Sequence, residues 1–266
     1  MNTRAAVAVD HQIEGPAGAP VVVLSHSLGM TRAMWQPQVQ DLVRDFRVVR
    51  YDLRGHGGSP VPPGPYDMAD LGGDLIALLD RIGAPRAHLC GVSLGGMLSL
   101  WTAAHHPDRV GSMVLCCTSA LLGPPAIWKA RAAAVRSSGM EAVADGVLER
   151  WFTPGYRARE PEAVAAQRAV LTATPAVGYA ECCGAIERMD LRGELAEVRA
   201  PTLVIAGADD PSTPPEHLFR IAQGIAGAHV VVISGAAHLA SIEKAEEVTA
   251  LIGDHLRQPP PEEQQP

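Results

Sequence analysis

No stretch of this 266-residue chain stays apolar for the ~18 residues that a membrane-spanning helix needs. The segment Met1 to Asp10 holds one Arg and a broken apolar stretch, without the h-region of a secretory signal, so the cytosol is the expected address. Basic charge is scarce. The 22 Lys and Arg face 29 Asp and Glu, a net charge of −7, which makes nucleic acid or an anionic membrane surface a poor partner. Cysteine is sparse and unpatterned. Cys90, Cys116, Cys117, Cys182 and Cys183 form no C-x-x-C pair and are odd in number. They read as reduced, small core side chains rather than a disulfide framework. No His, Cys and carboxylate cluster has metal-ligand spacing, so no metal and no cofactor is expected. Gly and Pro are plentiful but not periodic, which excludes collagen, and there is no internal repeat. Charged residues make up only 19% and hydrophobic ones 47%, which excludes a disordered chain and allows a sizeable core. The length suits one large domain with an insertion, or two small ones.

What is present is an alternation of strands and helices. Val21 to Leu24 is a β-branched run behind Pro20 and reads as a strand buried on both faces. Phe46 to Tyr51 follows as a strand, then a Gly-rich turn and a Pro-rich loop. Leu71, Leu75, Leu78, Leu79 and Ile82 fall at helical spacing, and Gly83 ends that helix. Ala87 to Cys90 reads as a strand, Leu94 to His106 as a helix and Val110 to Cys116 as a strand. The same order returns in Pro201 to Ala206, Glu216 to Gln223, His229 to Ile233 and Ile242 to Leu256. This is an α/β fold with a parallel sheet and helices on both faces. The middle differs: Ala-rich helical text (Ala130 to Val135, Met140 to Phe152, Pro161 to Leu171) without a good strand. The expected organisation is a core in two parts, residues 1–119 and 191–257. A helical cap at 120–190 covers the sheet edge where ligands bind in open α/β folds. The Pro-, Gln- and Glu-rich tail at 258–266 is expected to be disordered.

Gly91-Val92-Ser93-Leu94-Gly95 matches G-x-S-x-G, after a strand and opening a helix. Chemistry needs it there, because a sharp elbow lifts the Ser hydroxyl to a helix N-terminus where an oxyanion is favoured. Such a nucleophile needs a base and an orienting acid, in the chain order Ser, acid, His. His238 is the candidate base, in a loop after a strand. His56, His105 and His106 sit in or beside turns and helix ends, where solvated or capping roles are expected. The acid is Asp209 or Asp210. Asp210, three residues past Gly207, is preferred because it has a turn in which to point inward. The oxyanion hole should use backbone N–H groups of Leu94, next after the nucleophile, and of Leu28, in the loop after the first long strand.

These segments resemble the α/β-hydrolases, and more narrowly the 3-oxoadipate enol-lactone hydrolases. The narrower likeness rests on Ser27-Leu28-Gly29 with Met34-Trp35, and on Gly123-Pro124, Trp128 and Arg131-Ala132. Arg150-Trp151-Phe152-Thr153-Pro154, Gly178-Tyr179, Cys182-Cys183 and Pro214-Pro215-Glu216-His217 extend it, and it spans about Val21 to His255. His26 stands where the family often has Asn. The resemblance implies a mostly parallel, eight-stranded sheet with a helical cap. It also implies a cofactor-free serine hydrolase whose substrate is a small anionic lactone. Another small carboxylesterase or lactonase, or a cofactor-free haloperoxidase-like enzyme, is the alternative. A hydrolase-fold receptor without activity would usually lack a triad member, and none is missing. An anionic substrate needs a local cation, and between Asp108 and Glu141 there is no acid but there are Arg109, Lys129, Arg131 and Arg136. Trp128 and Arg131, three apart on a helix, share a face. Trp128, Arg131 and Trp151 are therefore the expected substrate contacts.

Overall fold

A computed structural model describes residues 5–258, so all of the expected tail except Gln258 lies outside the described residues. The first part of the chain contains β1 (His11–Glu14), β2 (Val21–Ser25), α1 (Gln36–Leu42), β3 (Arg47–Tyr51), α2 (Met68–Arg81), β4 (Ala87–Val92), α3 (Leu94–His105) and β5 (Val110–Cys116). Five helices follow: α4 (Pro125–Ser138), α5 (Glu141–Trp151), α6 (Pro154–Arg159), α7 (Pro161–Ala173) and α8 (Ala176–Arg188). The chain then returns to the sheet with β6 (Thr202–Gly207), α9 (Pro215–Gly224), β7 (His229–Ile233), α10 (Ala240–Glu243) and α11 (Ala245–Leu256).

The strands run in the order β1-β3-β2-β4-β5-β6-β7. Only β1 is antiparallel. The middle strands are apolar along their length because helices cover both faces; all of β2 and β6 is buried. The spacing read for α2 is met: Leu71, Leu75, Leu78 and Leu79 are all fully buried. Its start is set by a capping box, Asp67 accepting from the Asp70 N–H and Asp70 from the Asp67 N–H.

One expectation is corrected. The sheet has seven strands among the described residues, not eight. Residues 5–10, before β1, form no strand, and side chains take two of their backbone N–H groups. Val7 donates to Asp74 Oδ1 at 2.7 Å and Asp10 to Ser59 Oγ at 2.9 Å. Asp74 is held in place by a two-pronged bond from the buried Arg54 guanidinium, at 2.6 and 2.7 Å. The region between β5 and β6 is also more fully helical than its text suggested, with α8 packing along α4.

Candidate active site

The elbow forms where the motif placed it. Ser93 has φ 56° and ψ −115°, a backbone region that costs a non-Gly residue energy and persists only where its surroundings enforce it. Here the Ser93 N–H donates to Cys116 O at 3.0 Å. The Ser93 carbonyl accepts from Thr118 Oγ1 at 2.7 Å and from the Met97 N–H at 2.9 Å. The flanking glycines leave room for the turn. A Cβ on Gly91 would lie 2.2 Å from the Gly95 backbone, and one on Gly95 would lie 2.1 Å from Ser25 O.

His238 and Asp210 reach the same edge from the loops after β7 and β6. His238 Nδ1 lies 2.8 Å from Asp210 Oδ2. Asp210 is buried and accepts three further bonds, from Ser212 N at 2.7 Å, Thr213 N at 3.1 Å and Thr213 Oγ1 at 2.6 Å. Burial opposes its ionisation, but His238 and the Thr213 donors outweigh burial and hold its carboxyl below the usual aspartate range. Asp209 is exposed, and its N–H goes to Ala236 O at 2.9 Å. The geometry therefore brings Asp210, not Asp209, to the imidazole. Nδ1 then carries the proton and Nε2 is free to act as a base. Ser93 Oγ makes no hydrogen bond to His238 in this structure; such bonds often tighten only when substrate is bound.

Leu28 lines the same cavity as Ser93, and Leu94 follows Ser93 as the first residue of α3. Neither backbone N–H is engaged by another group among the described residues, as an oxyanion hole requires. The loop carrying Leu28 is braced by two buried histidines. His56 Nε2 accepts from the Gly29 N–H at 3.0 Å, and His26 Nε2 from the Leu53 N–H at 2.9 Å. His26 Nδ1 donates to Ser27 O at 2.8 Å. This corrects the solvated or capping role expected for His56, which is fully buried; the turn packs inward under β2 and β3. Burial pushes His26 down to about 4, and burial together with the nearby His26 pushes His56 down to about 3.

Both must stay neutral to accept those bonds. An unfolded histidine titrates near 6.5, so the unfolded chain binds more protons than the native one between pH 6.5 and about 4. Stability is full above pH 6.5 and is lost as pH falls through that window, by on the order of 3 kcal/mol per histidine. His56→Gln keeps an acceptor that does not titrate. Its melting temperature should fall less steeply than that of wild type between pH 6.5 and 4.5; parallel curves would contradict this role.

Ser93, Leu28 and His238 open into a cavity of about 310 Å³, closed from above by Trp128 and Arg131 of α4, Val147, Arg150 and Trp151 of α5, and Tyr179 of α8. The structure thus places all three expected contacts on the cavity. The Arg131 guanidinium lies 4.7 Å above the Trp128 ring and shares the cavity with Tyr179, whose pKa burial raises. The other cations of the same stretch are turned away. Lys129 pairs with Glu187, Arg136 with Glu181 and Arg109 with Asp80.

Arg150 was not singled out from sequence, yet it lines the cavity. Val147, Arg150 and Trp151 share one face of α5, a spacing that could have revealed it. Burial and the like charge of Arg131 hold Arg150 below the usual arginine range. Neither arginine has a carboxylate partner among the described ion pairs, and no acid lines the cavity. Two half-buried guanidiniums beside the Ser93 hydroxyl are the kind of donors that an anion requires.

A larger hollow of about 530 Å³ opens at the opposite ends of the strands. Ser112 Oγ and His88 Nδ1 are 2.7 Å apart there, but no carboxylate among the described residues lines it to orient the imidazole. Ligands of open parallel sheets bind at the other edge. The smaller cavity lies at that edge and holds Ser93 and His238.

Known proteins match this chain along most of its length. The sequence profile of the alpha/beta hydrolase fold matches residues 20–245. The chain is 38% identical over 240 residues to 3-oxoadipate enol-lactonase 2 of Acinetobacter baylyi, covering 90% of each chain. It is 31% identical over 254 residues to a protein of Variovorax paradoxus named putative carbamate hydrolase RutD, covering 92% of this chain and 95% of the other. The crystal structure of the enol-lactonase from Burkholderia xenovorans LB400 superimposes with a TM-score of 0.92 at 43% identity, covering 94% of this chain and 96% of that one.

Proposed function

This chain belongs to the α/β-hydrolases, within the 3-oxoadipate enol-lactone hydrolase family, and from that premise we propose that it opens 3-oxoadipate enol-lactone by serine catalysis. It is a hydrolase. The observation that carries the narrower reading is the meeting, in one small cavity, of Ser93 with two arginines that no carboxylate neutralises. The lactone implied by the relatives' names bears a carboxylate, and the arginines suit it. A neutral ester would leave both guanidiniums half-buried and unpaired.

His238 Nε2 takes the proton from Ser93 Oγ as the oxygen attacks the lactone carbonyl. The Leu28 and Leu94 N–H groups hold the resulting oxyanion, and Asp210 stabilises the imidazolium. The ring C–O bond then breaks, and the departing enol oxygen receives the proton from His238. Water attacks the acyl-enzyme with His238 again as base, releasing the carboxylate and restoring Ser93.

The arginines supply the test. Arg131→Ala and Arg150→Ala should each raise KM for the anionic lactone by about 10- to 100-fold, the worth of one charge-assisted bond. KM for a neutral ester of similar size should move by less than about threefold. Steady-state kinetics on both substrates decides the matter. Equal effects on the two would mean that these side chains shape the cap without reading the carboxylate.

A further inference from the structure

We propose that Glu243 is a positioning residue, which holds the loop of the catalytic histidine in place by tying it to the cap. This rests on Ser93 and His238 acting as set out above.

Glu243 ends α10, five residues past His238, and is buried. Its Oε2 accepts from the Ala237 N–H at 3.0 Å, the peptide next to His238. On the other side both carboxylate oxygens accept from the Thr153 N–H at 3.3 Å, and Oε1 accepts from Thr153 Oγ1. Thr153 is the N-cap of α6, where its hydroxyl also accepts from the Tyr156 N–H. Glu243 thus bridges two segments that lie far apart in sequence. No Lys, Arg or His pairs with it among the described ion pairs. A buried carboxylate without a counter-ion is costly to keep. Here the Ala237 N–H, the Thr153 N–H and the Thr153 hydroxyl converge on it, and a carboxylate can accept on both oxygens.

The same two segments meet twice more. His238 N–H donates to Arg150 O at 3.4 Å and Leu239 N–H to Trp151 O at 3.0 Å. Those carbonyls end α5, where a helix leaves its last acceptors unpaired. The backbone of the catalytic base is therefore built into the end of the cap helix whose Arg150 and Trp151 side chains line the cavity. Glu243 closes this clasp. Without its carboxylate, the Ala237 and Thr153 N–H groups lose their shared acceptor, the loop shifts, and His238 Nε2 no longer lies where Ser93 Oγ needs it. Misplacement by ~1 Å costs up to about 100-fold in rate. Substrate binding uses the side chains of the cap and loses less.

The test compares wild type, Glu243→Gln, Thr153→Ala, Thr153→Ser and Ser93→Ala, with active sites counted by a phosphonate titrant in the forms that keep Ser93 and by protein concentration in Ser93→Ala. Substrates are the enol-lactone and a neutral p-nitrophenyl ester. Glu243→Gln should lower kcat per titrated site by about 10- to 100-fold on both substrates, with KM within about twofold. It should also weaken or broaden the far-downfield proton resonance of the His238–Asp210 bond. Thr153→Ala, which keeps the carboxylate, should lower kcat by about 3- to 10-fold, and Thr153→Ser should restore it. This pair decides the matter if Glu243→Gln does not fold. Wild-type kcat and resonance in Glu243→Gln, even with a lowered melting temperature, would overturn the proposal and leave Glu243 a fold-stabilising group. Equal loss in Thr153→Ala and Thr153→Ser would also count against it. Turnover by Ser93→Ala would instead overturn the serine mechanism itself, so the two failures are distinguishable.

Discussion

Ser93→Ala is expected to lower kcat by at least ~10³-fold on every ester or lactone the protein hydrolyses, while the protein still folds. The catalytic loss follows from position. Ser93 is the hydroxyl that the elbow lifts into the cavity shared with His238 and the Leu28 loop, and water is a poor substitute for a nucleophile held there. The fold survives because the elbow rests on features that the substitution leaves alone. These are the close approach of Gly91 and Gly95, the Ser93 N–H bond to Cys116 O and the Thr118 bond to the Ser93 carbonyl. Alanine at the same positive φ is no more strained than serine. Rates measured beside a melting curve check both halves. Residual activity above about a hundredth of wild type would remove Ser93 from the nucleophile's role.

Asp210→Asn should cost ~10⁴-fold in kcat, and Asp209→Asn less than about twofold. The amide that replaces Asp210 presents either a donor or a neutral acceptor to His238 Nδ1. In the first case the ring is driven to the wrong tautomer; in the second the imidazolium loses its counter-charge. The Ser212 and Thr213 donors that now converge on Asp210 favour keeping the amide oxygen on their side, which turns the NH₂ towards the imidazole. Asp209 faces solvent and touches none of this. Comparing kcat for the two variants is enough; the reverse ranking would move the acid to Asp209.

The parts of this site that could be read from sequence are those set by local chemistry. The elbow follows from two glycines and a strand-to-helix change over a few residues. Asp210 follows from counting three residues past the end of β6. Trp128 and Arg131 follow from a helix spacing. The parts that escaped depend on distant contacts. Arg150 shares a face of α5 with Trp151, an expected contact, so the helix spacing pointed to it, but only the packing of α5 confirms that this face looks into the cavity. His56 looks like an ordinary turn residue until β2 and β3 bring its ring beside His26 and the Gly29 N–H. Glu243 meets Thr153 across 90 positions. β1 is only four residues with weak alternation, and its pairing with β3 defines it. Residues 5–10 add no further strand, and Asp74 and Ser59 take the Val7 and Asp10 N–H groups there. No periodicity announces that. The helix α8, rich in Ala, Gly and Cys, carries little propensity signal of its own and is held by packing on α4.

The central claim is that this cavity opens an enol-lactone. An enolate oxygen is a much weaker base than an ordinary alkoxide and leaves more readily. Once freed, the enol becomes a ketone, a poor nucleophile that does not close the ring again on the acyl-enzyme. The enzyme then needs only to hold the carboxylate and let His238 carry one proton at a time. The most direct measurement is kcat/KM for 3-oxoadipate enol-lactone, for its non-enol isomer muconolactone and for a p-nitrophenyl ester, side by side with wild-type protein. The expected result is the highest value for the enol-lactone, exceeding muconolactone by more than about 100-fold, a barrier difference of about 2.7 kcal/mol. Comparable values for the two lactones, or a clear preference for a long-chain neutral ester, would contradict the claim and make the protein a general carboxylesterase.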